Sequence, residues 1–237
     1  MNLAILQNNI SQLFQVSIDM KRILLSCLTL ACFSLHGFSQ DDSPSQSLVQ
    51  KGQFSMGMRQ TTSLFGHDNI PGLGVGGQMR WQFFDFINTE WFADWINIDL
   101  DGAGTRNNAH IGWSVMFYPI RTGRVIPYAV AGHCFDYAQV IPFSTPYLDR
   151  SDDIVTRWSS AVQAGLGSHF FVTDRFDISL SAQYMLHLGD HLDYEVQSTG
   201  SGPYLVTHDH TGGSSSTGVE GHVLITASIN YRIADLW

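Results

Sequence analysis

The sequence predicts an all-β chain, folded as an eight-stranded antiparallel up-and-down transmembrane β-barrel. Three observations predict it. Apolar and polar residues alternate with period two through most of residues 51–237. The connections between these stretches alternate between tight and long. Charged residues make up only 14% of the chain, against roughly 25% in an ordinary soluble protein. Beyond the N-terminal region no apolar run reaches the length of about 18 residues that a spanning helix requires. An oily surface without such a helix leaves a closed barrel as the structure that satisfies every backbone group in lipid.

The strands are expected at about 51–64, 74–85, 87–98, 108–118, 124–138, 156–172, 175–188 and 218–233. Each can cross a hydrocarbon core, which takes roughly 9–11 tilted residues. In the second, Met79, Trp81 and Phe83 oppose Gln78, Arg80 and Gln82. The third strand loses its phase near Trp95-Ile96, where a bulge is expected. In the fourth, Ile111, Trp113, Val115 and Phe117 oppose His110 and Ser114. In the seventh, Phe176, Ile178, Leu180, Ala182, Tyr184 and Leu186 oppose Asp177, Ser179, Ser181, Gln183 and His187. The last is the most regular. Val219, Gly221, Val223, Ile225, Ala227, Ile229, Tyr231 and Ile233 share one face, and only Leu224 breaks the polar face opposite. Alternate side chains of a strand point to opposite sides, so one set suits lipid and the other a polar interior.

Tight connections are expected at Asp85-Phe86, Pro119 to Gly123 and Thr173-Asp174. Longer ones are expected at Phe65 to Gly72, Asp99 to Asn107, Ile141 to Ile154 and Gly189 to Thr217. Membrane barrels sort their loops this way, short on the periplasmic side and long outside. Aromatic residues near strand ends (Trp81, Phe83, Phe84, Phe117, Tyr118, Phe170, Phe171 and Tyr231) suit interfacial girdles.

The chain divides into 1–39, 40–50 and 51–237. Residues 1–39 read as an upstream extension and a signal peptide. Lys21 and Arg22 after Met20 give a positive start, Ile23 to Leu35 a short apolar run, and Gly37-Phe38-Ser39 a cleavage site before Gln40. The true start is Met1 or Met20. Processing at Cys32 is the rival reading. Residues 40–50 read as a loose polar lead-in and 51–237 as the barrel. Of the three cysteines, Cys27 and Cys32 fall in the apolar run and only Cys134 survives processing, which excludes a disulfide framework. A net charge of −9 gives no footprint for nucleic acid.

Three stretches carry a family resemblance: Pro127 to Gly132, Gln163 to Gly167 with Phe170 to Leu180, and the ending Asn230 to Trp237. They resemble the small eight-stranded outer-membrane barrels, the porin-like group that includes the OmpA transmembrane domain, OmpX and OmpW. The signal region looks like that of Bacteroidetes precursors. The resemblance implies the outer membrane of a Gram-negative bacterium as location and outer-membrane lipid as surroundings. It also implies the barrel assembly machinery and periplasmic chaperones as partners during biogenesis. Tyr231, Ile233 and Trp237 match the C-terminal assembly signal.

A barrel of eight strands is narrow and filled by side chains. The inward set is expected to be Arg59, Arg80, Glu90, Asp94, His110, His133, Gln163, His169, Gln183, Glu220, His222 and Arg232. Charges of both signs confined there should pair, as a plug or as a narrow path for a small solute. His191, His208 and His210 in the last long loop are weak metal candidates. A lipid-modifying enzyme would need an outward Ser and His in contact with an orienting acid. Ser160 and Ser168 face outward, but the strand histidines read as inward, so no catalytic residue and no cofactor are expected. The expected role is structural or porin-like. The alternative is adhesion, receptor work or a subunit role through the external loops.

Overall fold

The computed structural model describes residues 47–65, 71–143, 154–190, 194–199, 202–207 and 217–237. The signal-peptide region, its cysteines and the start of the lead-in therefore lie outside the described residues, as do His191, His208 and His210. Among the described residues ten strands form: β1 (Gln53–Phe65), β2 (Pro71–Phe84), β3 (Ile87–Asp99), β4 (Gly104–Phe117), β5 (Val125–Pro142), β6 (Val155–Phe171), β7 (Phe176–Asp190), β8 (Tyr194–Thr199), β9 (Gly202–Thr207) and β10 (Thr217–Asp235). Eight of them close into a barrel in the order β1-β10-β7-β6-β5-β4-β3-β2, every neighbour antiparallel. The eight-stranded closed barrel expected from the period-two pattern is therefore the fold. Among the described residues no helix is long and apolar enough to cross a membrane.

The alternation sets the two faces. On β10, Thr226, Ser228 and Asn230 are buried in the interior while Ile225, Ile229 and Tyr231 are exposed outside. Around the wall, Trp158 is 73% exposed and Leu166 69%, with Val75, Trp91, Ile111 and Phe135 also bare. Apolar exposure repeated on every strand is far beyond the scattered residues that a soluble surface tolerates. It makes a belt that only a hydrocarbon phase relieves.

Four expectations are corrected. The phase of β3 does not slip at Trp95-Ile96, because β3 alternates without interruption. Register shifts occur instead at Phe54/Ser55 and Gln82/Phe84. The apparent slip arises because Ile96 and Ile98 point inward, to an apolar patch inside the barrel. The long connection placed at Asp99 to Asn107 is a turn at Leu100–Ala103 with Asp101 and Gly102 at positive φ. Asn97 bonds across the pair to Thr105 and Asn107, each at 2.8 Å, so polar side chains on the outer face had disguised strand as loop. Tyr118 and Phe171 leave the girdle: Tyr118 is buried, and Phe171 packs with it inside the mouth. Lastly, the Gly189 to Thr217 connection contains a strand pair of its own, β8–β9.

Apolar residues pack inside both mouths. At the end carrying the short turns, Leu48 and Val49 turn into the barrel against Met116, Tyr118, Ile126, Tyr128 and Val130. Ser47 Oγ anchors this segment by donating to the Arg121 carbonyl at 2.9 Å. The end of the lead-in is therefore packed rather than loose. At the opposite mouth, Leu205 of β9 is buried against Phe92, Ile96, Ile98, Leu100 and Leu224, with Val196 of β8 beside it.

Close approach requires glycine at Gly52 and Gly167, among other positions. Gly52 holds φ at 87°, and its carbonyl accepts from Leu236 N–H at 2.8 Å. A Cβ there would lie 2.5 Å from the Trp237 carbonyl oxygen. Gly167 faces the Tyr128 ring, where a Cβ would collide with Cζ and the hydroxyl. Tyr128 in turn stacks on His169 at 4.5 Å. Gly167→Ala is expected to lower stability by about 1–3 kcal/mol through overpacking, read as a lower denaturant midpoint of the refolded barrel. An unchanged midpoint would mean that the Tyr128 ring yields freely.

Candidate functional site

The lumen holds two ionic groups, each built by the inward positions of adjacent strands. The first is centred on Glu90 of β3. Arg80 Nε of β2 donates to Glu90 Oε2 at 2.7 Å, and Arg59 Nη1 of β1 donates to Oε1 at 3.2 Å. Arg59 Nε reaches Asp94 at 3.1 Å, and Arg80 Nη1 reaches Asp177 at 3.3 Å. The Arg59 guanidinium carbon also sits 4.5 Å from the centre of the Phe92 ring, a cation–π contact. Gln78, Ser179, Ser228 and Asn230 complete this group, with Asn230 donating to Asp177 at 3.0 Å and to Ser179 at 3.2 Å.

The second group lies towards the β8–β9 end. Asp136 of β5 is fully buried. His110 Nε2 lies 3.1 Å from Asp136 Oδ1, and His187 Nδ1 lies 3.3 Å from Oδ2. His187 Nε2 in turn lies 3.2 Å from His222 Nδ1. Above them Glu220 receives Arg106 and Arg157, both at 3.1 Å, and Arg157 also approaches Asp136 at 3.5 Å. The register explains this gathering. Asp94, His110 and Asp136 are direct partners along β3, β4 and β5, and Ser159 continues the row on β6.

The structure places Arg59, Arg80, Glu90, Asp94, His110, Gln163, His169, Gln183 and His222 inside and buried, with Glu220 inside and partly exposed. Arg232 stands at the short-turn mouth, where its ion pair with Asp235 is 3.8 Å long. His133 is misassigned. On β5 the buried positions are the even ones, so His133 faces outward. It hydrogen-bonds Ser160 Oγ at 2.6 Å on the lipid-facing wall. An outward histidine–serine pair therefore exists, although nothing in the strand pattern signals it. Its cross-strand neighbours are Trp113, Val162, Phe135 and Leu188. Among the described residues no carboxylate contacts His133.

Three charged members, Arg106, Asp136 and Arg157, were missed, and a fourth, Asp177, was put on the polar face of its strand without being counted in the inward set. Arg106 lay in the stretch read as loop. Asp136 shares its face with Cys134, Ala138 and Val140 and looks like an interruption of a core strand. Arg157 and Asp177 did carry a signal, since both fall in phase with inward polar neighbours on their strands. The polar atoms leave little room. A cavity of about 40 Å³ lies at the short-turn end among Arg80, Asn88, His169 and Asp177, space for a water or two.

No protein-family model matches the chain, and no curated protein matches its sequence. Solved structures do resemble it. Neisserial surface protein A superposes with a TM-score of 0.51 at 10% identity, covering 76% of this chain and 96% of that one. A major outer membrane protein from Thermus thermophilus gives a TM-score of 0.52 at 11% identity, with 76% and 98% covered. At such identities the likeness is one of fold.

Proposed function

We propose that this chain is a structural barrel of a Gram-negative outer membrane, non-enzymatic and closed to solutes in its resting form. The observation that carries the reading is the state of the lumen. Ion pairs fill its middle, and Leu48-Val49 and Leu205 close its two ends. A porin needs a continuous aqueous path, and an eight-stranded wall leaves room for one only if the side chains stand aside. The apolar belt would face outer-membrane lipid. The short turns would face the periplasm, and the β8–β9 hairpin the outside. Export would follow cleavage near Ser39/Gln40, in the manner of a Bacteroidetes precursor. Periplasmic chaperones and the barrel assembly machinery would handle the chain before insertion.

The test is single-channel recording of the refolded protein in a planar bilayer, beside a heat-modifiability gel that reports barrel formation. The expected result is a folded and silent barrel. Steady openings altered by Glu90→Gln or Arg80→Gln would overturn the closed reading and make the chain a narrow channel. A second reading is recognition by the outer end. The β8–β9 hairpin favours it, because Leu205 docks it on the barrel and Tyr204 Oη ties its two strands by donating to Gln197 at 2.6 Å. A docked hairpin presents a surface at lower entropic cost than a free loop.

The C-terminal residues fit an assembly signal of alternating outward apolar groups. Tyr231, Ile233 and Trp237 are all exposed, and Trp237 approaches Trp81 at 6.0 Å. Deleting Trp237 is expected to slow assembly in cells while leaving the denaturant midpoint of the finished barrel nearly unchanged. Pulse-chase gels read the first and equilibrium unfolding the second. Unaltered assembly kinetics would show that Trp237 is not read.

A further inference from the structure

The geometry points to a divalent transition-metal site inside the barrel, with His110, His187 and His222 as ligands and Asp136 orienting two of them. One ring nitrogen from each histidine lies within 4.8 Å of the others, and all three side chains are buried. The His187 Nε2 to His222 Nδ1 distance is 3.2 Å. Two nitrogens bound tetrahedrally to one ion at about 2.0–2.1 Å each stand roughly 3.3–3.4 Å apart. That pair is already set at the spacing an ion requires. Bringing His110 to the same spacing takes a ring shift on the order of 1 Å.

The carboxylate supplies the second argument. Asp136 reaches Nε2 of His110 with one oxygen and Nδ1 of His187 with the other. A carboxylate on one ring nitrogen keeps the proton there and presents the other nitrogen with its lone pair free for a ligand, the arrangement usual around metal-bound histidines. The other nitrogen of His187 is the one that faces His222. Both ring nitrogens of His110 are shielded from solvent and have no hydrogen-bond partner among the described residues, Nε2 lying 3.1 Å from Asp136 Oδ1 and Nδ1 turned away from it.

Charge is the third argument. In the lumen the guanidinium groups of Arg59, Arg80, Arg106 and Arg157 stand against five carboxylates: Glu90, Asp94, Asp136, Asp177 and Glu220. Among the described residues, neutral histidines leave the carboxylates ahead by one negative charge in a low-dielectric space, where such an excess is costly. A divalent cation bound with one hydroxide as its fourth ligand brings the total to zero. Imidazole ligands of this number select zinc, copper or nickel over the hard ions calcium and magnesium. The site goes beyond the structural reading above and holds whether or not the barrel conducts. Glu220, one layer further out, keeps a side-chain exposure of 23% and gives a cation a polar approach past the hairpin.

The experiment uses the full chain as secreted, refolded in detergent without metal and checked for folding by heat-modifiability. Zn²⁺ is added and the bound metal is measured by equilibrium dialysis and elemental analysis. Co²⁺ then replaces it to report geometry by visible absorption. One ion per chain and an intense tetrahedral Co²⁺ spectrum are expected. Asp136→Asn should weaken binding by about 10–100-fold, and His187→Gln or His222→Gln by more. His133→Gln, on the outer wall, should leave it unchanged, as should joint replacement of His191, His208 and His210. Three results would overturn the site: no bound Zn²⁺ at micromolar metal, an octahedral Co²⁺ spectrum, or binding that follows the loop histidines. If the His187 and His222 variants fail to fold, the Co²⁺ spectrum of the unaltered chain still decides.

Discussion

Glu90→Gln should lower the stability of the refolded barrel by about 3–5 kcal/mol, a loss typical of breaking a buried ion pair by removing one partner. Glu90 is the single carboxylate shared by Arg59 and Arg80, at 3.2 and 2.7 Å, and both guanidinium groups are buried. Glutamine keeps the volume but withdraws the anion from Arg59 Nη1 and Arg80 Nε, which are left facing a neutral amide with only Asp94 and Asp177 as their remaining carboxylates. The surface pair Arg121–Asp85 provides the contrast, with side chains 41% and 51% exposed and a separation of 3.6 Å. Arg121→Gln should cost less than about 1 kcal/mol. Denaturant unfolding in micelles measures both. The Arg121 effect should also shrink in high salt, while the Glu90 effect should not, because counter-ions screen exposed charges and hardly reach buried ones. Equal small losses for the two variants would show that water enters the lumen and that the network is solvated.

Period two made the wall legible in the sequence, because lipid imposes it on every outward position of a strand. The interior is less strictly encoded. A lumen accepts either polar groups that pair or apolar groups that pack, so inward positions need not be polar. Ile96, Ile98 and Leu224 are inward and apolar, and at β3 this inverted the apparent phase. His133 shows the converse. A polar residue on the outer wall survives because Ser160 satisfies one of its nitrogens, and polarity alone pointed it inward. The histidine group was legible only by residue. His110 and His222 were placed in the lumen from pattern. Their meeting with His187 depends on barrel closure, which sets β4 opposite β7 and β10, and no sequence spacing encodes that. The β8–β9 hairpin was hidden for a different reason: its strands are six residues each, too short for alternation to stand out from a polar loop.

The second large effect is expected at Leu205, and it should be local. Its side chain is buried beneath the hairpin against Ile96, Ile98 and Leu100, so Leu205→Ala should destabilise the docked hairpin by about 2–5 kcal/mol. Among the described residues, the backbone ladder of β8 and β9 joins them to each other and to no barrel strand. Apolar contact through Leu205 and Val196 holds the hairpin to the mouth. An element joined in this way can open without the barrel unfolding, as a separate cooperative unit of lower stability. Hydrogen exchange should therefore speed up in residues 194–207 of the variant and stay unchanged in β1 to β7 and β10. Fast exchange spreading into β3 and β4 would instead make the hairpin part of the barrel's own folding unit. The same variant separates the cap from the ion network as barriers. If the lumen is closed chiefly by its ion pairs, Leu205→Ala remains silent in a planar bilayer although its hairpin is open. If current appears, the hairpin was the gate, and access to the histidines beneath Glu220 is controlled by the packing of one leucine.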